Sequence, residues 1–302
     1  MSENITHTAV MDDAFNLMLI SNRFSDAFKQ AGKNHRRFGQ LAGVTRSGDR
    51  FTIDLLERYR TSWPGGSGDS GADTLGAKIA FILGWLCHRA TDRQFKPVFR
   101  SFDPEGKLSP TDCSVYHDAF LFRELYMNEG EFSPSMFERN MDSVAASKVV
   151  DAPSLLELFR VSLKRILIEM HTFIPDQEDI DGWLEKLHSL QQTFYVDSER
   201  YAEAVARPDP EMIRRFIEEI NFYDRSEPFL VLTRNLRNGK KTTNDQLESA
   251  LTAGTKSHYA QAVQRSFQYI EAASLFFEDD LDRDGLSERL DIGKPGSDGK
   301  SV

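Results

Sequence analysis

Cysteine is almost missing from this chain of 302 residues: only Cys87 and Cys113 occur, so no disulfide framework is indicated. Long apolar runs are missing as well. The most hydrophobic stretch, residues 79–87, is too short and too soon followed by charge to span a bilayer. The opening MSENITHTAVMDD has no basic segment leading into an apolar one, so a secretory leader is not expected and the cytoplasm is the expected location. Positive charge is in deficit. Lys and Arg number 37 against 47 Asp and Glu, and the net charge of −10 opposes non-specific binding to nucleic acid or anionic membrane. No Gly-rich phosphate loop, nucleophile elbow or dinucleotide fingerprint is present, and nothing repeats at a fixed period.

What is present reads as helix after helix. A hydrophobic fraction of 40% and a charged fraction of 28% place the chain among globular proteins, and 22 Phe favour thick packing between helices. Thr6 or Thr8 is positioned to cap a first helix running to about residue 31, with Gly32 ending it. A short helix over 35–43, another over 51–60 and a Gly/Ser/Asp-rich loop over 61–74 lead to a central helix, 75–100. Ser109-Pro110 starts a further helix to about residue 128. Helical patterns continue over 133–147, 154–173, 177–206 and 210–223; residues 227–236 are also read as helix, and a long helix is expected over 245–277. The expected fold class is all-α: a single large bundle of long helices over residues 1–277, followed by an acidic, flexible tail, 278–302.

The central helix carries the first chemical signal. His88 and Asp92 are one turn apart and project from one face, which continues back through Gly84, Phe81 and Ala77. A polar pair extending a stripe of small and apolar residues points into a bundle, where the two groups satisfy each other, bond to neighbours or hold a metal. There are seven histidines. His171, His188 and His258 lie in charge-rich amphipathic helices and read as surface, and His35 sits in the basic patch Lys33–Arg37. That leaves His7, Asp49, His88 with Asp92, and His117 with Asp118. Their nitrogen and oxygen donors suit zinc or another first-row metal.

The order of these residues resembles the zinc-dependent phospholipase C family, which shares its all-helical fold with the S1/P1-type nucleases. The resemblance covers about residues 5–125. It is carried by Thr6-His7, by Gly43 with Ser47-Gly48-Asp49, by Gly84-Trp-Leu-Cys-His88-Arg-Ala-Thr-Asp92-Arg-Gln-Phe-Lys96-Pro97, and by His117. Lys96 stands where the family pattern has a ligand His, Leu121 stands where it has an acid, and its N-terminal Trp ligand has no counterpart. The resemblance implies a one- or two-metal zinc site built from His7, Asp49, His88, Asp92 and His117. The implied activity is hydrolysis of a small phosphoester or phospholipid-like substrate by water activated at the metal. Asp49 would orient that water or act as general base, and Lys96 would contact a phosphoryl oxygen.

Three other readings stand beside it. His88 followed by Tyr116-His117-Asp118 resembles the metal-ligand order of HD-domain phosphohydrolases. Asp280, Asp282, Asp284, Gly285 and Asp291 resemble a calcium loop of the EF-hand type, with Asp rather than Glu at its last position. The third is a catalytically silent helical scaffold or interaction protein.

Overall fold

Helix α1 (Asn4–Ile20) is buried on nearly every side: Ile5, Ala9, Val10, Met11, Ala14, Phe15, Leu17 and Met18 are buried, and so are the polar His7, Asp12 and Asp13. A helix with no exposed face lies inside its unit, and its buried polar groups need partners on neighbouring helices. This computed structural model describes residues 4–43, 49–63, 70–102, 104–105, 110–128, 131–132, 207 and 209–302. The described residues are all-α in class; the exception is an antiparallel ladder of two residues a strand, Met127–Asn128 with Glu131–Phe132. Where one domain is expected over 1–277, the chain divides into two units: Met1–Thr111 with Ile220–Val302, and Asp112–Glu219. No helix among the described residues is long and apolar enough to cross a membrane.

The first unit contains α1, α2 (Asp26–Asn34), α3 (Arg36–Gly43), α4 (Asp49–Ser62) and the 33-residue α5 (Ser70–Phe102). The expected single helix to residue 31 is broken at Ser21–Ser25. There Ser25 Oγ accepts from Phe28 N at 3.3 Å and caps α2, while Gly32 lies buried within α2 beside Met18 and Phe15. A serine followed by Asp26 is a helix start, and it outweighs the apolar periodicity that runs across the break. Helix α5 confirms the central helix and extends it at both ends.

Helix α3 packs against α5 through small residues. A Cβ on Gly84 would strike Gly39 O and come within 2.8 Å of Ala42 Cβ, so only glycine permits this approach. Buried charge ties α1 to its neighbours. Arg36 NH1 lies 3.2 Å from Asp12 Oδ1, and Gln40 Nε2 donates to the same oxygen at 3.1 Å. Asp13 accepts from Arg237 Nε at 2.6 Å and from Tyr259 OH at 2.8 Å. The basic patch around His35 is therefore not plain solvated surface. Arg36 is buried, and His35 is half-buried against Gly76 of α5.

Helix α6 (Pro110–Leu121), which lies in the second unit from Asp112 onward, begins at the expected proline and continues into a π-helical turn, Phe122–Tyr126. Helix α7 (Pro210–Ile213), capped by Asp209, also passes into a π turn, Arg214–Glu218. The helices expected over 133–147, 154–173 and 177–206, with His171 and His188, lie outside the described residues.

The first unit resumes with α8 (Pro228–Arg237), α9 (Asn244–Ala253), α10 (His258–Phe277) and α11 (Arg283–Arg289). The long helix expected over 245–277 is interrupted by Gly254 at φ 75° and by a new start at Ser257. The first-turn His258 N and Tyr259 N donate to Asn221 O at 3.1 Å and Phe222 O at 2.9 Å, and the buried Glu227 carboxylate holds the residues just before them, accepting from Lys256 N at 2.9 Å and Ser257 N at 2.5 Å. Half-buried His258 accepts at Nδ1 from Gln94 Nε2 at 2.8 Å, and burial lowers its pKa.

The expected flexible tail is instead docked, and its acids are helix punctuation. Asp279, at φ 66°, follows the end of α10, with Asp280 N donating to Leu275 O at 2.8 Å. Asp282 caps α11 by accepting from Gly285 N at 2.7 Å. Asp291, at φ 55°, ends α11 in a Schellman turn in which Ile292 N donates to Ser287 O at 3.0 Å. A calcium loop would need residues 280–291 to wrap a cation; residues 283–289 are helical and Asp291 Oδ2 accepts from Tyr269 OH at 2.8 Å. The segment is clasped from α5. Arg89 Nε donates to Leu290 O at 2.8 Å, and Arg93 donates to Lys294 O at 2.9 Å and Pro295 O at 2.8 Å.

Two substitutions test this packing. Gly84→Ala should cost about 1–3 kcal/mol, read from urea melts, because α3 must retreat; an unchanged midpoint would refute the close approach. Arg93→Ala should release the C-terminal segment. Limited proteolysis should then cut it well before the unit unfolds, and identical digestion of both proteins would contradict the clasp.

Candidate metal centre

Three groups of the site come from one helix. His88, Asp92 and Lys96 follow each other at intervals of four residues on α5, so they stack along one face. The fourth, His7, comes from α1 and is buried, as is Asp92. Lys96 Nζ lies 2.8 Å from Asp92 Oδ2, His88 Nε2 lies 3.4 Å from the same oxygen, and His7 Nε2 is 3.7 Å from Oδ1. The two imidazoles stack with centroids 4.2 Å apart and an interplanar angle of 12°.

The far side of His88 is also fixed. Its Nδ1 lies 2.9 Å from Gly43 O. A carbonyl can only accept, so Nδ1 carries the proton and donates, leaving Nε2 to face Asp92. That tautomer presents a nitrogen lone pair to a carboxylate, an arrangement that calls for a proton or a cation between them. The close approach at Gly84, one turn before His88, brings the end of α3 and its Gly43 carbonyl to the ring.

The electrostatics follow from burial. Desolvation, assisted by neighbouring His88, holds the His7 pKa well below its usual value despite the pull of Asp92. For Asp92, desolvation acts upward but is overcome by His88, His7 and Lys96, which hold the carboxyl well below the carboxylate range.

One ligand atom from each of His7, His88 and Asp92 lies within 4.8 Å of the others. Donors placed tetrahedrally about 2.0–2.1 Å from zinc sit roughly 3.4 Å apart; the 3.4 and 3.7 Å separations are of that order but run to different oxygens of Asp92, Oδ2 and Oδ1, and the near-parallel rings must tilt for both Nε2 atoms to meet one ion. Imidazole nitrogen with carboxylate oxygen is also a zinc-type donor set. Lys96 is the discordant member, since an ammonium donates and cannot ligate.

Of the sequence candidates, His7, His88, Asp92 and Lys96 are thus brought together. Asp49 is the first residue of α4, and its side chain lies outside what is described. His117 belongs to the second unit, where its Nε2 donates to Phe216 O at 2.9 Å, and Asp118 beside it is buried. Asp280, Asp282, Asp284 and Asp291 lie around α11 as described above. Gly43, which the sequence reading placed only in the loop motif with Asp49, takes part through its backbone carbonyl. The glycine one turn before His88 is a second signal, marking a close helix approach.

No protein-family model, curated protein or solved structure matches the chain.

The depressed His7 and Asp92 values fix the acid response. Unfolded His7 takes up a proton below about pH 6.5 while the folded residue resists it, so stability falls as pH drops below that value. The contribution of Asp92 is present above its unfolded value near 3.8 and is lost at still lower pH. Melting temperature in metal-free buffer should therefore decline between about pH 6.5 and 4, and His7→Gln should flatten that decline. Parallel curves for the two proteins would remove His7 as its cause.

Proposed function

We propose that the chain binds one divalent first-row metal, zinc in the first instance, through His7, His88 and Asp92, and uses it to hydrolyse a small phosphoester or phospholipid-like phosphodiester. The observation that carries this reading is the convergence of two imidazole nitrogens and a carboxylate oxygen within 4.8 Å, from two helices and away from bulk water. A metal held there would supply Lewis acidity toward a phosphoryl oxygen and acidify a water. The chain's own groups supply the rest. Gly43 O fixes the His88 tautomer, the stacked rings hold both Nε2 atoms toward the carboxylate, and the Lys96 ammonium contacts a phosphoryl oxygen. The net charge of −10 favours a small or lipid-like ester over a polynucleotide.

The Asp92–Lys96 ion pair favours a second reading, in which the carboxylate is neutralised without metal and the box is a buried polar network in a helical scaffold. Metal analysis separates the two. On the hydrolase reading, purified protein carries about one equivalent of metal, and His88→Ala weakens its binding by more than the roughly 10–100-fold that loss of an outer hydrogen-bond partner costs. The same substitution abolishes hydrolysis of a nitrophenyl phosphodiester. Metal-free protein whose melting point ignores added zinc would end the hydrolase reading and leave the scaffold.

A further inference from the structure

We infer that Lys96 is a built-in competitor for the metal: its ammonium pairs with Asp92 and must leave that carboxylate when a divalent cation binds His7, His88 and Asp92. This rests on the metal-site reading above and adds how the site is filled and emptied.

The argument starts from the carboxylate. Asp92 is buried, and a buried carboxylate left without positive charge is costly. Lys96 Nζ, a fully charged group, lies 2.8 Å from it, and it takes the same Oδ2 that faces His88 Nε2 at 3.4 Å. A metal shared by His88 and Asp92 draws on that oxygen from the imidazole side. Ammonium and metal would then stand within a few ångströms of each other at one carboxylate, and the repulsion between them opposes binding.

The lysine also has somewhere to go. Its side chain is 24% exposed, whereas that of Asp92 is 8% exposed. The ammonium therefore lies at the outer edge of the box, and rotation about its flexible stem carries it into water without moving α5. His7 and His88 have no such freedom, being stacked on each other, with His88 also held by Gly43 O. The imidazoles and carboxylate thus form a cup far less mobile than Lys96, its outermost member. Once displaced, the ammonium remains one turn from Asp92, beside any anion drawn to the metal, which is the position its phosphoryl-contacting role requires.

Cobalt(II) is the probe, because its visible absorption reports both occupancy and coordination, and zinc competition extends the measurement to the silent ion. The full chain is titrated beside Lys96→Met, Lys96→Gln and Lys96→Arg, each checked for helix content and melting. The charge-free variants should bind cobalt at least tenfold more tightly than the wild type, while Lys96→Arg, which keeps the charge, should gain little. Wild-type binding that Lys96→Met and Lys96→Gln leave unchanged or weakened overturns the competitor role but leaves the metal site standing. An equal gain in Lys96→Arg also overturns that role, since the charge would not be the cause. Binding by the charge-free variants alone supports the inference and removes the hydrolase reading for the native chain. Absence of binding in every protein, with helix content intact, overturns both.

Discussion

A carboxylate inside a helical bundle has to be compensated, and Asp92 is the group around which its part of the protein is arranged. The compensating charge comes from the helix that carries it, through Lys96 one turn later, while His88 one turn earlier and His7 from α1 face the same carboxylate. This in turn constrains the packing. His88 must present Nε2 to the carboxylate, so its Nδ1 needs an acceptor, and the end of α3 provides one through Gly43 O. The α3 helix reaches that place because Gly84 has no side chain to hold it away. Backbone packing, tautomer and charge balance are thus links of one chain of causes.

The same economy governs the other acids. Asp12 and Asp13 lie side by side on α1 and reach different helices, the first Arg36 of α3, the second Arg237 of α8 and Tyr259 of α10. Burial pushes the Asp12 carboxyl up and the Arg36 guanidinium down, against their mutual attraction. Such pairs add little net stability, but removing one partner leaves a buried charge exposed to the full cost of desolvation, which holds helices to one register. At the surface, Asp279, Asp282 and Asp291 start and stop helices rather than lie along a solvated tail. Much of the excess negative charge is therefore structural.

Several elements were legible in the sequence for reasons that hold in the structure. Pro110 marks a helix start because its missing N–H falls where no helical partner exists. The inward face of α5 was legible because its polar pair continues a stripe of small and apolar residues. The breaks at Ser21–Ser25 and at Gly254–Ser257 were not, because apolar periodicity runs through both. What marks the second break is contact with distant residues: the Glu227 carboxylate holds Lys256 N and Ser257 N, and the carbonyls of Asn221 and Phe222 accept from the new first turn. The C-terminal acids misled for a related reason. A carboxylate accepting backbone N–H groups and a carboxylate ligating calcium have the same local sequence, and only the path of the backbone separates them.

The sequence alone determined the spacing of the site. With 3.6 residues per turn, His88, Asp92 and Lys96 must share a face wherever α5 lies, because that geometry is local to the helix. It also determined the helical class, through periodicity and the shortage of alternating segments. Tertiary structure decided which groups from elsewhere meet that face: His7 rather than another histidine, and the carbonyl of Gly43 rather than a side chain. Those choices depend on how closely helices approach, and closeness is set by the packing of many side chains at once, which no short stretch of sequence encodes.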